Sequence, residues 1–329
     1  MKKRLLFAAL AMACVMMLTG CLNPTPGVSR PADPAPEEGA LLFTTGGEQG
    51  TYYRFGQVLA EKIYEATGTR LYAVVSGGSQ ENIGSVQNGD AMFGFAQTDV
   101  LSYAWEGTRL FDRKMDHITV ITELYKELVQ IVTMDPSIRS VADLKGKSVS
   151  IGAAGSGVYC NAIDILGAYG LTERDISPTY QSFGDSVSAL QSGKIDAAFV
   201  VAGAPTSAVS GLAATTDIYL IGLDEAHIDQ LIASSPHYSK ASISKRTYNT
   251  SSDIDTVAVG AVLIANKDAA TEDVYHVIAG IYENTDAITK VHSKGAELDL
   301  QLASQVKTVP YHPGAAAYFA EKGIAVPAN

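Results

Sequence analysis

The sequence is poor in cysteine, tryptophan and basic side chains. Its 329 residues include three Cys and one Trp, and 35 acidic side chains outnumber 24 basic ones, for a formal net charge of −11. Three cysteines are too few for a disulfide framework or a Cys-rich metal site. The acidic excess argues against a nucleic-acid binder, which needs a basic face for phosphates. Hydrophobic residues make up 47% of the chain, which is enough to bury one large core or two ordinary ones.

The N-terminal apolar run is too short to cross a membrane. It covers Leu5–Met17 after a basic start, whereas a spanning helix takes about 20 residues. This pattern predicts a signal peptide over residues 1–20. The residues Leu18 to Cys21 resemble a bacterial lipobox, which predicts that Cys21 is lipidated and becomes the mature N-terminus. An ordinary signal peptide followed by a coincidental cysteine is the alternative.

Residues 21–39 have the composition of a linker. They contain five prolines, and no large apolar side chain occurs between Val28 and Ala40. Such a segment cannot form a core and favours an extended chain. We therefore predict a tether that holds a soluble body off the outer face of the cell membrane or in the periplasm. We expect the body to begin near Ala40.

From residue 40 onward the apolar pattern alternates between short strands and helices, and the order is repeated. The first unit begins with a strand at Leu41–Thr45 and a helix from Tyr52, and the second with a strand at Val149–Gly152 and a helix from Asn161. A β-α-β-α-β order implies parallel strands joined by crossover helices. The sequence therefore predicts an α/β protein of two similar lobes, each with a mixed, mainly parallel sheet.

Long apolar segments between the two units predict hinge strands. They are Ile118–Tyr125 and Leu128–Met134, separated only by Lys126 and Glu127, and later Thr256–Ile264. These strands would carry the chain from one lobe to the other and back. We predict that lobe 1 comprises residues 40–126 and 256–329, and that lobe 2 comprises residues 127–255. A cleft between them would lie at the carboxyl ends of parallel strands, where such sheets bind ligands.

Three turns rich in small residues lie between a strand and a helix, at residues 46–51, 76–79 and 153–157. In the second turn Ser79 is placed to cap the following helix. Amide N–H groups at a helix N-terminus attract anions, so three such turns facing one cleft predict a small carboxylate or similar anion as the ligand. The alternative is that glycine, serine and threonine are ordinary turn and cap residues here.

The same turns lack the residues that known catalytic motifs require. No Gly-Lys-Ser/Thr follows the first turn, and the third has its glycines misplaced for a hydrolase nucleophile elbow. None of the six His has zinc-helix spacing. We therefore predict no catalytic residue, no metal and no cofactor.

Motifs along almost the whole body resemble the TAXI family, the TRAP-associated extracytoplasmic solute receptors. The motifs that carry the resemblance are Thr45–Tyr53, Gly77–Ser79 with Asn82 and Ile83, Phe95–Asp99, Ala142–Gly146, Gly152–Gly157, Asp255–Val259, Val274–Tyr275 and His312–Ala315. The resemblance implies a two-lobed, periplasmic-binding-protein-like fold of type II, without catalysis. It also implies TRAP membrane permease subunits, driven by an ion gradient, as partners.

Members of that family are associated with glutamate, glutamine or related dicarboxylates, so the resemblance implies amino acid or dicarboxylate transport. A receptor for an ABC transporter or a sensor with the same fold is the alternative function, and an extracytoplasmic enzyme on the same frame is a third. Carried over onto this sequence, the ligand-binding residues are Gly47, Thr51, Tyr52, Ser79, Asn82, Gln97, Ser156, Gly157, Val158 and Ala202.

The sequence departs from the family pattern at the end of the second lobe's central strand. Related receptors have a Gly-rich stretch before a proline, and here the residues are Val201–Pro205, in which Ala202 would line the cleft. None of the three turns contains an arginine. Anion binding is therefore assigned to N–H groups and hydroxyls.

Overall fold

A computed structural model describes residues 37–328. The signal peptide over 1–20, the lipidation site Cys21 and the tether up to residue 36 lie outside the described residues. Within residues 37–328, no helix has both the length and the apolar character needed to span a bilayer.

The described chain forms ten β-strands and twelve α-helices. The strands are β1 Leu41–Thr44, β2 Leu71–Val74, β3 Phe93–Gln97, β4 Ile118–Thr133, β5 Ser148–Ser150, β6 Ser177–Thr179, β7 Ala197–Ala202, β8 Tyr219–Ile221, β9 Ser239–Ile243 and β10 Ile254–Asn266. The helices are α1 Thr51–Thr67, α2 Ser79–Asn88, α3 Thr98–Glu106, α4 Val158–Ala168, α5 Phe183–Gln191, α6 Ser207–Ala213, α7 Glu225–Ser234, α8 Lys245–Tyr248, α9 Thr271–Tyr282, α10 Thr285–Val291, α11 Leu300–Ala303 and α12 Pro313–Glu321. Single turns of 3₁₀-helix occupy Val141–Leu144, Glu173–Asp175 and Ser293–Glu297.

Two long antiparallel strands connect two parallel groups in one mixed sheet. The order is β2-β1-β3-β10-β4-β7-β5-β6, with β8 beside β4 and β9 beside β10. Strands β1, β2 and β3 are parallel to one another, and so are β5, β6 and β7. Because β4 and β10 extend through both groups, the chain crosses between the groups along these two strands.

The hydrophobic core is divided in the same way. The largest cluster draws on residues 43–125 and 261–319, while the other two draw on residues 128–259. We call the part of the chain around the first cluster lobe 1 and the part around the other two lobe 2. Strands β4 and β10 therefore leave one core and enter the other near their midpoints.

Helix α1 shows how local sequence produces the packing. Phe55, Leu59 and Ile63 recur on one face and are fully buried in the core of lobe 1. The helix ends at Gly68, whose backbone has φ +78° and whose N–H donates to the carbonyl of Tyr64 at 2.9 Å. Glycine adopts this left-handed conformation without a Cβ clash, which is why the helix ends here.

The two hinge strands predicted on either side of residues 126 and 127 are a single strand, β4. Lys126 and Glu127 pair in register with Gly260 and Val259 of β10, so the ladder continues through them. In the sequence, Lys126 and Glu127 interrupt an apolar run, which is why two strands are predicted there. The strand tolerates them because Lys126 forms an ion pair with Glu123, and Glu127 accepts a hydrogen bond from Tyr52.

Candidate functional site

A cavity lies where the turns of the two lobes meet. It is lined by the turn after β1, the turn after β2 and the turn after β5, together with the ends of β3 and β7. Its volume is about 70 Å³.

The cavity brings together nine of the ten predicted ligand-binding residues. They are Gly47, Thr51, Tyr52, Ser79, Gln97, Ser156, Gly157, Val158 and Ala202. Asn82 is fully buried behind the wall, and its Nδ2 donates to the carbonyls of Thr45 at 2.6 Å and Phe95 at 2.9 Å. Asn82 therefore supports the turn after β1. Contact of the other nine with a ligand stays a prediction.

Thr51 and Tyr52 begin helix α1 and face the second lobe. The Thr51 hydroxyl donates to the carbonyl of Gly203 at 2.9 Å, so it already has a partner across the cleft. The ring of Tyr52 stacks on Phe95 with centroids 4.6 Å apart, and its hydroxyl donates to Oε2 of Glu127 at 2.8 Å. Tyr52 is therefore fixed in orientation before any ligand arrives.

The prediction that Ser79 caps α2 is wrong. The N-cap is Gly78, at φ +117°, and Ser79 is the first helical residue. Its hydroxyl accepts instead from the backbone N–H of Gln97 at 3.1 Å and so links α2 to the end of β3. Serine is a frequent cap, but here glycine takes that place, since an L side chain is strained at this positive φ.

Two amides at the N-terminus of α2 are occupied by the opposite lobe. The N–H groups of Gln80 and Glu81 donate to the carbonyl of Gly155, at 3.0 and 3.2 Å. The turn after β2 therefore binds the turn after β5 rather than leaving these donors for an anion. At α1 and α4, by contrast, the hydrogen bonds of residues 37–328 provide no acceptor for the first amides, those of Thr51, Tyr52 and Val158.

Gln97 is the centre of a polar network across the cleft. Its Nε2 donates to Oδ1 of Asn161 at 3.1 Å, and Asn161 in turn donates to Oδ2 of Asp99 at 2.9 Å. Burial raises the pKa of the Asp99 carboxyl to about 6, against the opposing effect of its hydrogen bonds. Asp99 lies in the first turn of α3, and Asn161 is not among the predicted ligand-binding residues.

Ser156 and Gly157 lie where the second lobe packs tightly against the first. Ser156 is 7% exposed, and its Oγ has no hydrogen-bond partner among the described residues. A Cβ placed at Gly157 would lie 1.6 Å from Oε1 of Gln97, so only glycine permits this approach. The following residue, Val158, starts helix α4.

Three buried polar atoms of lining residues lack partners in the described structure. They are Oε1 of Gln97, Oγ of Ser156 and Oε1 of Gln181. A buried polar atom without a partner costs about 1–3 kcal/mol, and such atoms call for an explanation such as a missing ligand or water. Two carbonyl-type acceptors and a hydroxyl, combined with free amides at α1 and α4, can bind a solute that has both donors and acceptors.

Sequence reasoning missed four lining residues: Glu127, Gln181, Ser182 and Phe183. The sequence predicts Glu127 as part of a break between strands, although an acid inside a long apolar run is itself a signal of a buried functional group. Gln181 and Ser182 directly precede α5 and Phe183 is its first residue, and no glycine turn before this helix indicates a site. Burial raises the pKa of Glu127 to about 8.

No group of three or more His, Cys, Asp or Glu side chains able to hold a metal ion occurs between residues 37 and 328. The one cysteine in that range, Cys160, is a buried free thiol. Burial raises its pKa to about 12, so it is a poor nucleophile at neutral pH.

A comparison with protein-family models matches residues 43–323 to the model described as the NMT1-like family. This range covers most of the chain and all residues of the cavity.

Solved structures share the architecture at low sequence identity. A protein from Bordetella bronchiseptica RB50 is 18% identical, covers 86% of this chain and 89% of its own, and has a TM-score of 0.52. An ancestral arginine-binding protein bound to arginine is 15% identical, with 78% and 97% covered and a TM-score of 0.50. The alkanesulfonate-binding protein SsuA from Xanthomonas axonopodis pv. citri, bound to MOPS, is 16% identical, with 88% and 93% covered and a TM-score of 0.48. The predicted fold class, a two-lobed α/β fold of the type II periplasmic-binding-protein kind, is thereby confirmed.

Proposed function

The chain belongs to the NMT1-like family, and from this membership and its two-lobed fold we propose that it is an extracytoplasmic solute-binding receptor. In this proposal the two lobes close on one small solute and present it to a membrane transporter. The protein itself performs no chemistry on the solute.

The observation that carries the proposal is the set of unpartnered polar atoms in a cavity between the lobes. Gln97 belongs to lobe 1, whereas Ser156 and Gln181 belong to lobe 2, so one solute that satisfies all three would join the lobes. A ligand that contacts both lobes favours the closed arrangement by its differential affinity for it. A transporter can then recognise the closed, ligand-bound form.

We propose further that the solute is a small carboxylate, such as glutamate, glutamine or a related dicarboxylate. The free amides at the N-termini of α1 and α4 support a carboxylate, because helix N-termini stabilise negative charge. The ancestral arginine-binding protein of the same fold is bound to an amino acid, which supports a ligand of this size.

We propose a TRAP-type transporter as the partner, with a lipid anchor at Cys21, on the strength of the TAXI-like motifs and the lipobox-like start. The alternative partner is an ABC transporter or a sensor. Neighbouring genes distinguish them, because a TRAP system requires adjacent membrane permease subunits, whereas an ABC system requires an ATPase.

Calorimetric titration with a panel of amino acids and organic acids tests the proposal. We expect at least one carboxylate to bind with 1:1 stoichiometry. Binding of a quite different chemical class, with no binding by any member of the panel, would overturn the carboxylate assignment. Consumption of the bound solute over hours would overturn the receptor function in favour of an enzyme.

A further inference from the structure

Glu127 is a buried acid in the wall of the cavity with an assigned partner for only one of its oxygens. We infer that Glu127 binds an ammonium group of the solute and that the solute is therefore an amino acid rather than an organic acid without an amine. This inference rests on the proposed function, because it concerns the same cavity.

The position of Glu127 supports this role. The residue is 2% exposed, lies midway along β4 and lines the cavity. Its Oε2 accepts from the Tyr52 hydroxyl at 2.8 Å, and the hydrogen bonds of the described chain assign no donor to Oε1. A buried carboxylate with an unfilled acceptor is strongly destabilised unless a donor or a cation reaches it.

The rest of the lining has the same polarity. The unpartnered atoms of the two lining glutamines, Gln97 and Gln181, are also acceptors. None of the described lining residues is a lysine or an arginine. A solute without an amine would therefore leave these acceptors and the acid without donors, whereas an ammonium group would supply them.

The charged and titratable groups around Glu127 come from four elements. Tyr52 approaches from α1, Asp99 from α3 and Tyr125 from β4 itself, and Lys294 approaches from the 3₁₀ turn. Lys294 is already engaged, since its ammonium donates to Glu297 and lies 5.4 Å from the ring centroid of Tyr125. The charge of Lys294 lowers the pKa of Glu127 but does not reverse the effect of burial, and Lys294 does not line the cavity.

Binding of an ammonium group would be linked to proton release. Burial raises the pKa of Glu127 to about 8, so the acid is mostly protonated at pH 7 without a ligand. A cation beside it favours the ionised form and lowers the pKa. The affinity for the ligand should then rise with pH, by up to about tenfold per pH unit below pH 8, and should level off above pH 8. The proton passes from Glu127 to solvent, and the ligand ammonium keeps its own.

Calorimetry on the full-length protein tests this with L-glutamate and glutarate, which share a carbon skeleton and differ in the amine. We expect L-glutamate to bind more tightly than glutarate. Titrations at pH 7 in two buffers of different ionisation enthalpy should show net proton release when L-glutamate binds. Both measurements use the wild-type protein and so do not depend on the folding of a variant.

The variant E127Q should lose about 30-fold or more in affinity for L-glutamate, because it removes one partner of a buried charge pair. It should also abolish the proton release and bring the two ligands to similar affinity. The matched control is E123Q. Glu123 is 3% exposed on the same strand but does not line the cavity, so its loss should leave binding and proton release unchanged.

The possible failures are distinguishable. If L-glutamate binds to the wild-type protein with no proton release and E127Q still prefers it to glutarate, this inference is overturned while the receptor function stands. If glutarate binds as tightly as L-glutamate to the wild-type protein, the inference is likewise overturned. If no amino acid or organic acid binds at all, the proposed carboxylate function falls, and this inference falls with it.

Discussion

At the scale of single residues, the cavity is defined by polar atoms that the fold buries without satisfying. Ser156 illustrates this, since the residue is only 7% exposed and its hydroxyl has no partner in the described chain. Thr51 has a similar position in lobe 1 but a different role, because its hydroxyl already bonds to Gly203. Ser156 is therefore the better test of ligand contact, and Thr51 tests closure.

We predict that S156A weakens ligand binding by about 1–3 kcal/mol, because a hydrogen bond to the solute is lost. Calorimetry with the tightest ligand of the panel measures the change. The control is S186A, since Ser186 is also buried but pairs with Ser150, and neither of these two serines lines the cavity. Equal affinity of S156A and the wild type would place the ligand elsewhere.

The sequence was sufficient to find residues whose role follows from a local turn. Of the ten residues that the family resemblance implies, nine line the cavity, and five of these lie within the three turns. The sequence could not predict Glu127, because the side chain reaches the cavity only through the long-range pairing of β4 with β10. It also misassigned Asn82, since a buried amide that supports a turn and one that meets a ligand have the same sequence context.

At the scale of elements, the start of helix α4 limits how far the lobes can close. Its N-cap, Gly157, approaches Gln97 so closely that no Cβ can be accommodated, and Val100 would lie 2.7 Å from it.

The order of strands and helices was predictable from apolar periodicity, whereas the continuity of β4 through Lys126 and Glu127 was not. A strand can be predicted through charged residues only when the partners of those residues are known.

We predict that G157A weakens ligand binding by about tenfold or more, since overpacking of this kind costs about 1–3 kcal/mol and here opposes closure. The matched control is G167A on the same helix, where an added Cβ meets nothing within 4 Å. That substitution should leave affinity unchanged and stabilise the protein by about 0.5–1 kcal/mol. Calorimetry and thermal unfolding of both variants provide the comparison, and equal affinities would contradict the role of Gly157.

At the scale of the whole molecule, the lobes contact each other directly outside the cavity. Arg109 of lobe 1 makes a bidentate ion pair with Asp164 of lobe 2, one arm of which measures 3.0 Å. The backbone of Gln49 accepts from the N–H of Ala208 at 3.2 Å. The structure therefore has the arrangement expected of a closed receptor.

We predict that R109Q weakens ligand binding by about twofold to fivefold, because an ion pair with partly exposed members is worth at most about 1 kcal/mol. The difference from wild type should shrink as salt is raised. The control is K322Q, which breaks an exposed pair with Glu283 inside lobe 1 and should not affect affinity. An effect of R109Q that is independent of salt would contradict an electrostatic contribution to closure.

The central claim is that one small solute binds between the lobes, in contact with both. A crystal structure of the full-length protein purified from rich medium tests it most directly. We predict a guest the size of an amino acid, with its carboxylate at the N-termini of α1 and α4 and with Ser156 and Gln97 within hydrogen-bond distance. A guest bound at any other surface, or lobes closed over a cavity that holds only water at saturating ligand, would contradict the claim.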